Sequence, residues 1–575
     1  MPWFPVGELT MSMFCFQCQE AARGEGCTVV GVCGKTATTA ALQDGLIQVA
    51  RGVAIYATAL AGASLAGAEA EAEAKAVAEK VAVAPAEAHA WLRLALFTTI
   101  TNANFDDAVI EAQIRRGLAW RLELQQHCAA RALLVPLASS HAASWCPTSR
   151  EQLLAAEAEI GVLRGSDSNV RSLRELLTYG LKGLAAYLHH AAELGSEDNA
   201  LNTFLARALA ATANPDLDGA ALTALVLETG GQAVAAMALL DGANTGRYGH
   251  PEVTQVRIGV GQRPGILVSG HDLADLEELL EQSRESGIDI YTHSEMLPAH
   301  SYPAFKTYPH LYGNYGNAWW QQHREFTSFR GPILFTTNCI VPPPKDATYA
   351  TMVFTTGAAG FPGYRHIERG PDGHKDFAEL IAMAQGCAPP EPLEKGTIPA
   401  GFAHHQVEAL AAPILEAIHS GALKRFVVMA GCDGRQLQRS DYTRYAKELP
   451  SDTVILTAGC AKYRYNKLDL GVITAPGGVA IPRVLDAGQC NDSYSLVRTA
   501  LLLKHALGLQ NINDLPIDYT IAWYEQKAVI VLLALLHLGV QNIQLGPTLP
   551  AFLSPGVAQL LQEQFGLRAV EAVAA

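Results

Sequence analysis

The sequence predicts a multidomain α and α/β chain: an N-terminal helical-bundle domain followed by two Rossmann-like α/β domains with mainly parallel sheets. Three observations carry this. From Thr36 to about Tyr248 apolar residues recur every three or four positions, the period of a helix with one buried face. After Gly249 the period is lost, and short β-branched runs alternate with helix-like stretches, as in sheets covered by helices on both faces. Six of those runs also end in a histidine, a glutamate or a cysteine. The predicted division is 1–248, 249–386 and 387–575.

Taken in order, residues 1–12 look disposable, with Met11 and Met13 both readable as starts. Cys15, Cys18, Cys27 and Cys33 follow, with Gly24, Gly26, Gly31 and Gly34 among them. Close spacing in a glycine-containing loop lets four thiolates converge. Structural zinc and a cubane iron–sulfur cluster both suit such a set; the uneven spacing, with one short gap, favours iron–sulfur. Leu42, Leu46, Val49, Val53, Tyr56 and Leu60 form one stripe. The Ala/Glu/Lys-rich stretch 66–83 is a strong helix former that stops before Pro85. Further helices are predicted at 86–100, 104–127, 149–163, 168–194, 199–212 and 219–240. Cys128, Cys146 and the His189-His190 pair read as incidental residues of this part.

Beyond Gly249, strand 265–269, helix 272–285 and strand 288–292 make a parallel βαβ unit. The first strand runs into His271, the second into His293 and Glu295, and the run 333–338 into Cys339. Residues 301–330 are aromatic and loop-rich, suited to packing around a site. The glycine-rich turn 259–265 precedes a strand, where a dinucleotide-binding turn must follow one, and is discounted. The Pro342–Pro344 run and the stretch 356–373 read as connecting loops. In the last part, helix 405–420 leads to the run ending in Cys432, helix 441–449 to the run ending in Cys460, and helix 493–507 follows the run ending in Cys490. A cysteine just past a strand's carboxyl end points into the crevice where such sheets bind ligands. Glu525 and Lys527 open an apolar helix, and residues 542–546 form the last strand. Glu525 reads either as a metal ligand or as a solvated cap; its place after three cysteine-ending strands favours the ligand. Cys387 and the His404-His405 pair lack this pattern and read as incidental.

At 575 residues the chain is too long for one core. With 49% hydrophobic and 17% charged residues it has an ordinary globular composition. A net charge of −14 argues against a nucleic-acid or anionic-membrane partner. The first basic residue is Arg23, so no secretory signal is evident, and the apolar run 528–540 is too short to span a bilayer. Eleven cysteines without an export signal suggest metal ligation before disulfides, and a cytoplasmic location follows. Soft thiolates together with harder His and Glu donors suggest a cluster whose irons differ in their ligands and can open a site. The resulting expectation is a redox enzyme in which the N-terminal cluster relays electrons to an inner, reactive one.

The same residues resemble the hybrid-cluster proteins, also called prismane proteins or hydroxylamine reductases, over nearly the whole length from Met13. The resemblance rests on the stretches 14–20 (FCFQCQE), 269–273 (SGHDL), 291–296 (YTHSEM), 337–339 (TNC), 431–434 (GCDG), 459–463 (GCAKY), 489–492 (QCND) and 523–527 (WYEQK). It implies one [4Fe-4S] cluster on Cys15, Cys18, Cys27 and Cys33, the subgroup with short spacing. It also implies one hybrid [4Fe-2O-2S] cluster on His271, Glu295, Cys339, Cys432 (as a persulfide), Cys460, Cys490 and Glu525. The implied activity is reduction of hydroxylamine to ammonia and water. Nitric oxide reduction, protein S-nitrosylation and a nitrosative-stress redox role are the alternatives, and an unidentified reductase or electron carrier is the implied partner. Carbon monoxide dehydrogenase, with nickel, is a further enzyme reading, against which the two glutamates and His271 stand. Glu525, Lys527 and Cys432 are the expected catalytic residues. The extra N-terminal residues and a Gly/Pro-rich insertion at 474–481 depart from the pattern.

Overall fold

The computed structural model describes residues 13–70 and 86–570. The expected helix at 66–83 therefore lies largely outside the described residues.

Among the described residues the first part is built on six long helices: α1 (Ala37–Ala70), α2 (Ala86–Thr98), α3 (Asp107–Ala130), α4 (Ser168–Glu193), α5 (Asn199–Ala211) and α6 (Gly219–Tyr248). Four of them start on an aspartate: the carboxylates of Asp106, Asp167, Asp198 and Asp218 accept from the first free backbone N–H groups. The expected helix at 149–163 is two shorter ones, Arg150–Ala155 and Glu157–Ile160. The last helix runs eight residues beyond its expected end at 240, to Tyr248. Two segments, Ala37–Gly62 and Gly219–Tyr248, are long and apolar enough to cross a membrane. In the first, 83% of the most apolar window is buried in the bundle, the pattern of a core helix.

Two six-stranded sheets follow. The first holds β1 (Gly265–Ser269), β2 (Asp289–His293), β3 (Leu311–Asn314), β4 (Ile333–Phe335), β5 (Val353–Thr356) and β6 (Arg365–Ile367). The second holds β7 (Arg425–Val428), β8 (Thr453–Thr457), β9 (Val484–Asp486), β10 (Ile517–Ala522), β11 (Gln544–Gly546) and β12 (Arg568–Ala569). Every neighbouring pair in both sheets is parallel. The spatial orders are β3-β2-β1-β4-β5-β6 and β9-β8-β7-β10-β11-β12, so each sheet reverses direction once, between its first and fourth strands. Such a reversal opens a crevice at the carboxyl ends of the strands.

Five expectations are corrected here. The region 301–330 contains β3 and a helix, Gln322–Phe329, and the stretch 356–373 contains the edge strand β6. The strand β10 precedes Glu525, where no strand was expected, and β12 follows the strand expected to be last. The insertion at 474–481 closes an antiparallel hairpin, Val472–Thr474 with Ala480–Pro482.

An antiparallel ribbon, Thr254–Arg257 with Thr397–Ala400, joins chain on either side of the first sheet. The apolar helix Gln526–His537 packs on α4 and α6, where Gly183 and Gly230 let backbones touch. A Cβ at either glycine would strike a main-chain carbonyl of that helix, Gln526 or Leu533. Ten of its twelve residues are buried, so the helix that starts just after Glu525 is clamped between bundle and sheet.

Candidate metal centre

The crevices of the two sheets face one another, and the expected inner donors collect there. His271 follows β1 and Glu295 follows β2, while Cys339 lies just beyond β4. Cys432, Cys460 and Cys490 follow β7, β8 and β9, and Glu525 follows β10. All seven line one buried cavity, with Thr101 and Asn102 from the bundle and with Trp319, Asn338 and Tyr524.

The turn at each strand end aims its donor. Gly431 has φ +109° and Gly459 φ +87°, and a Cβ on Gly431 would strike the Ala522 carbonyl. That carbonyl is where the Cys432 N–H donates, at 2.7 Å, so close approach and donor position are one feature. Two non-glycine residues hold the same strained region, Ser294 (φ 56°) beside Glu295 and Cys339 itself (φ 91°). Cys339 is held there by its N–H and that of Ile340, which both donate to the Asn102 carbonyl at 3.0 Å. Gly431→Ala is expected to destabilise the fold by on the order of 1–3 kcal/mol and to lower iron at the inner site while sparing the loop. Thermal unfolding with iron counted per chain checks this; an iron-replete, equally stable variant would contradict it.

Within the cavity His271 Nε2, Glu295 Oε2 and Cys490 Sγ lie within 4.8 Å of one another, with 3.3 Å between His271 Nε2 and Cys490 Sγ. His271 Nδ1 is 2.8 Å from Thr337 Oγ1, a contact that fixes the ring and leaves Nε2 to face the cavity. Burial, followed by the charge of Lys527 and by His190, pushes the His271 imidazole well below its usual range, so it is neutral, as a ligating histidine must be. Burial pushes the Cys339, Cys460 and Cys490 thiols far up, and burial with Glu525 raises Cys432 to about 12. Thiols this deep do not ionise on their own; a cation that replaces their protons makes them thiolates. Glu295 Oε1 is buried without a hydrogen-bond partner, a free acceptor beside the other donors. The donor set and this orphaned oxygen fit a metal cluster of mixed ligation.

Glu525 settles its two readings in an unexpected way. Its carboxylate does cap the helix Gln526–His537, accepting from Lys527 N at 2.8 Å, but it is only 4% exposed and so is no solvated cap. Glu525 stands just before the first helical turn, and Lys527 lies within that turn. Lys527 is fully buried, and its Nζ donates to Asn338 Oδ1 at 3.2 Å. Burial alone would lower its pKa; the surrounding Cys490, Glu525 and Cys339 outweigh this and raise it. Lys527 also lines an apolar cavity beside the first, together with Cys432 and Cys490.

The four loop cysteines form a separate group. Cys15 and Cys27 pair through their main chains at 3.0 and 2.8 Å, and Lys35 Nζ is 3.6 Å from Cys15 Sγ. Burial and the neighbouring Cys33 and Cys15 raise Cys18, while burial, Cys15 and Cys27 raise Cys33. The loop touches the inner site through Gln19, whose N–H donates to the Tyr524 carbonyl at 3.0 Å. Gln526 Nε2 returns to the Gln17 carbonyl at 2.7 Å.

The cysteines and histidines read as incidental fall into two groups. Cys128 is a core residue, Cys146 is exposed, and Cys387 bonds within its own turn. His404 bonds Ser495 and His405 stacks on His250, both away from the cavity. His190 is the exception: its ring centroid lies 6.2 Å from that of His271, so it belongs to the surroundings of the centre. Sequence reasoning also passed over Asn102 and Arg439. Neither ends an apolar run, and the only trace of Arg439 is the glycine at position 434 that makes room for it.

Fold and donor set together suit a redox metalloprotein, and comparison gives the family. Residues 13–574 match the profile of the Prismane/CO dehydrogenase family, and the chain belongs to it. It is thus an iron–sulfur oxidoreductase. Among curated relatives, the hydroxylamine reductase of Desulfovibrio desulfuricans is 56% identical over 559 residues, covering 97% of both chains. That of Acetivibrio thermocellus is 55% identical over 565 residues, covering 98% of both. Among solved structures, the nickel-free carbon monoxide dehydrogenase of Thermococcus sp. AM4 superposes with a TM-score of 0.53 at 18% identity, over 96% of this chain and 88% of that one. Carbon monoxide dehydrogenase IV of Carboxydothermus hydrogenoformans gives 0.52 at 16% identity, over 98% and 91%. Those two likenesses concern the fold.

Proposed function

We propose that the chain is a hydroxylamine reductase, which takes two electrons and two protons to convert hydroxylamine to ammonia and water. The observation that carries this is the convergence of three kinds of donor, four thiols, two carboxylates and one imidazole, on one buried cavity. Relatives identical at more than half of their positions along nearly the full chain carry that name, so nitric oxide reduction and S-nitrosylation are not favoured.

On this reading Cys15, Cys18, Cys27 and Cys33 hold a [4Fe-4S] cluster that relays electrons. His271, Glu295, Cys339, Cys432 as a persulfide, Cys460, Cys490 and Glu525 hold a hybrid [4Fe-2O-2S] cluster. The units 1–248, 249–386 and 387–575 meet at the second. That cluster, when bound, supplies the two electrons that split the N–O bond. The protein's part is to exclude bulk water, to hold the donors, and to deliver a proton. Lys527 Nζ, oriented by Asn338 Oδ1, is the group placed to protonate the departing oxygen. An electron-carrying protein completes the cycle, and the cytoplasm is the expected compartment.

Steady-state turnover of hydroxylamine with a chemical reductant tests the reading against stoichiometric modification of cysteine. Ammonia formed in many equivalents per chain supports it; modification without turnover would replace it with a sensor role. Anomalous iron scattering would count the irons and identify their ligands. Cys18→Ser is expected to lose the loop's iron and its electron-transfer role while the inner site remains loaded. A variant stripped of all iron would show that the two sites do not assemble separately.

A further inference from the structure

Arg439 is 0% exposed and stands at the end of the short turn Leu437–Arg439, between the loop and the inner cavity. Its guanidinium holds three separate pieces of chain. Nη1 donates to the Cys432 carbonyl at 2.9 Å; Nη2 donates to the Trp523 carbonyl at 2.7 Å and to Gln19 Oε1 at 3.0 Å. Those acceptors belong to an inner cysteine, to the residue two before Glu525, and to the residue after Cys18. Arg439 makes no ion pair among the described residues, and its Nε has no acceptor. The space for it is provided by Gly434, where a Cβ would lie 2.8 Å from that Nε.

An arginine stays charged in any protein environment, and a buried charge needs opposite charge nearby. Here the thiolates and carboxylates of the two centres on either side can supply opposite charge. One connection between them runs from Cys18 to Gln19, then through the hydrogen bond from Gln19 N to the Tyr524 carbonyl at 3.0 Å, then to Glu525. Arg439 grips both banks of that hydrogen bond, Gln19 on one side and Trp523 on the other.

We propose that Arg439 is the positioning residue for electron transfer from the loop centre to the inner centre. It fixes the Gln19–Tyr524 contact and places one positive charge on the route. This rests on the relay reading above. In each transfer one electron leaves the reduced loop centre, which returns to its oxidised state, and arrives at the inner centre; Arg439 itself gains and loses nothing.

The test uses the fully loaded protein, mixed with a chemical reductant and freeze-quenched for electron paramagnetic resonance, so that both centres are followed in time. Arg439→Met is expected to keep both signals and the wild-type rate of loop reduction, while inner-centre reduction slows at least tenfold. Arg439→Lys keeps the charge without the fork, and recovers part of the rate. An iron-replete Arg439→Met protein whose inner centre is reduced at the wild-type rate overturns the proposal. If Arg439→Met does not assemble, Gln19→Leu leaves the cation in place and removes its hold on the loop; slowed transfer supports the proposal and an unchanged rate overturns it. Cys18→Ser separates this from the relay itself. If its inner centre is reduced as fast as in wild type, the relay reading fails, whatever Arg439 does.

Discussion

Lys527→Met is expected to keep the wild-type iron content and to lose roughly a hundredfold or more in hydroxylamine turnover. The side chain is fully buried, and its ammonium is held toward the inner donors by Asn338 Oδ1. Methionine fills similar space without a proton to give, so the change removes chemistry with little loss of packing. The competing role for Lys527 is to balance the charge of Cys490, Glu525 and Cys339 around it. The two roles separate in one preparation, because loss of charge balance lowers iron content along with activity, whereas loss of an acid lowers activity alone. Near-normal turnover in an iron-replete variant would remove the lysine from the mechanism. Glu525→Gln should also lose activity, with a changed signal from the inner centre and an unchanged one from the loop. Its carboxylate both faces the cavity and caps the helix that carries Lys527, so the amide disturbs the two together.

Six of the donors were legible because each ends a short apolar run, and a parallel sheet turns that local pattern into a shared direction; Glu525 was legible only from its place after three such runs. His271, Glu295, Cys339, Cys432, Cys460, Cys490 and Glu525 are spread over 255 positions, yet strand order alone brings them to one crevice. The strand β3 escaped notice because Tyr312, Gly313 and Asn314 read as loop, and the edge strand β6 because Arg365 and His366 are exposed and carry no apolar alternation. The helix α6 ran past its expected end because Gly242, Asn244 and Gly246 weaken the local signal, which packing overrides. Asn102, His190 and Arg439 were illegible for another reason. They act through main-chain carbonyls or ring contacts far away in sequence, which leave no spacing to read.

Removal of the metal is expected to loosen the junction of the two sheets and to lower the midpoint of thermal unfolding by roughly 10 °C. The donors come from both sheets: His271, Glu295 and Cys339 from the first, the other four from the second. Direct bonds also cross the junction without metal, among them Tyr463 Oη to the Ser294 carbonyl at 2.8 Å, Trp320 Nε1 to Asp433 Oδ2 at 2.8 Å and Lys467 Nζ to Asn317 Oδ1 at 2.7 Å. Cys490 N donates to Glu295 Oε2 at 2.6 Å, Ser294 Oγ lies 3.0 Å from Cys460 Sγ, and Gln489 Nε2 donates to the His271 carbonyl at 3.1 Å. A group bound only by the folded chain stabilises it by about 4 kcal/mol when present at a thousand times its dissociation constant. For units of this size such a change moves the midpoint by several degrees per kcal/mol divided among the parts that unfold together, which sets the scale above. The loosening should be local. The ribbon Thr254–Arg257 with Thr397–Ala400 is held by main-chain bonds that do not depend on metal, whereas the chain from 340 to 396 starts directly after Cys339 and carries only β5 and the edge strand β6 of the first sheet. Limited proteolysis of apo and holo protein should therefore differ first within 340–396. Equal cleavage there in both forms would mean that the centre does not staple the two sheets, and that the inner donors serve one of them alone.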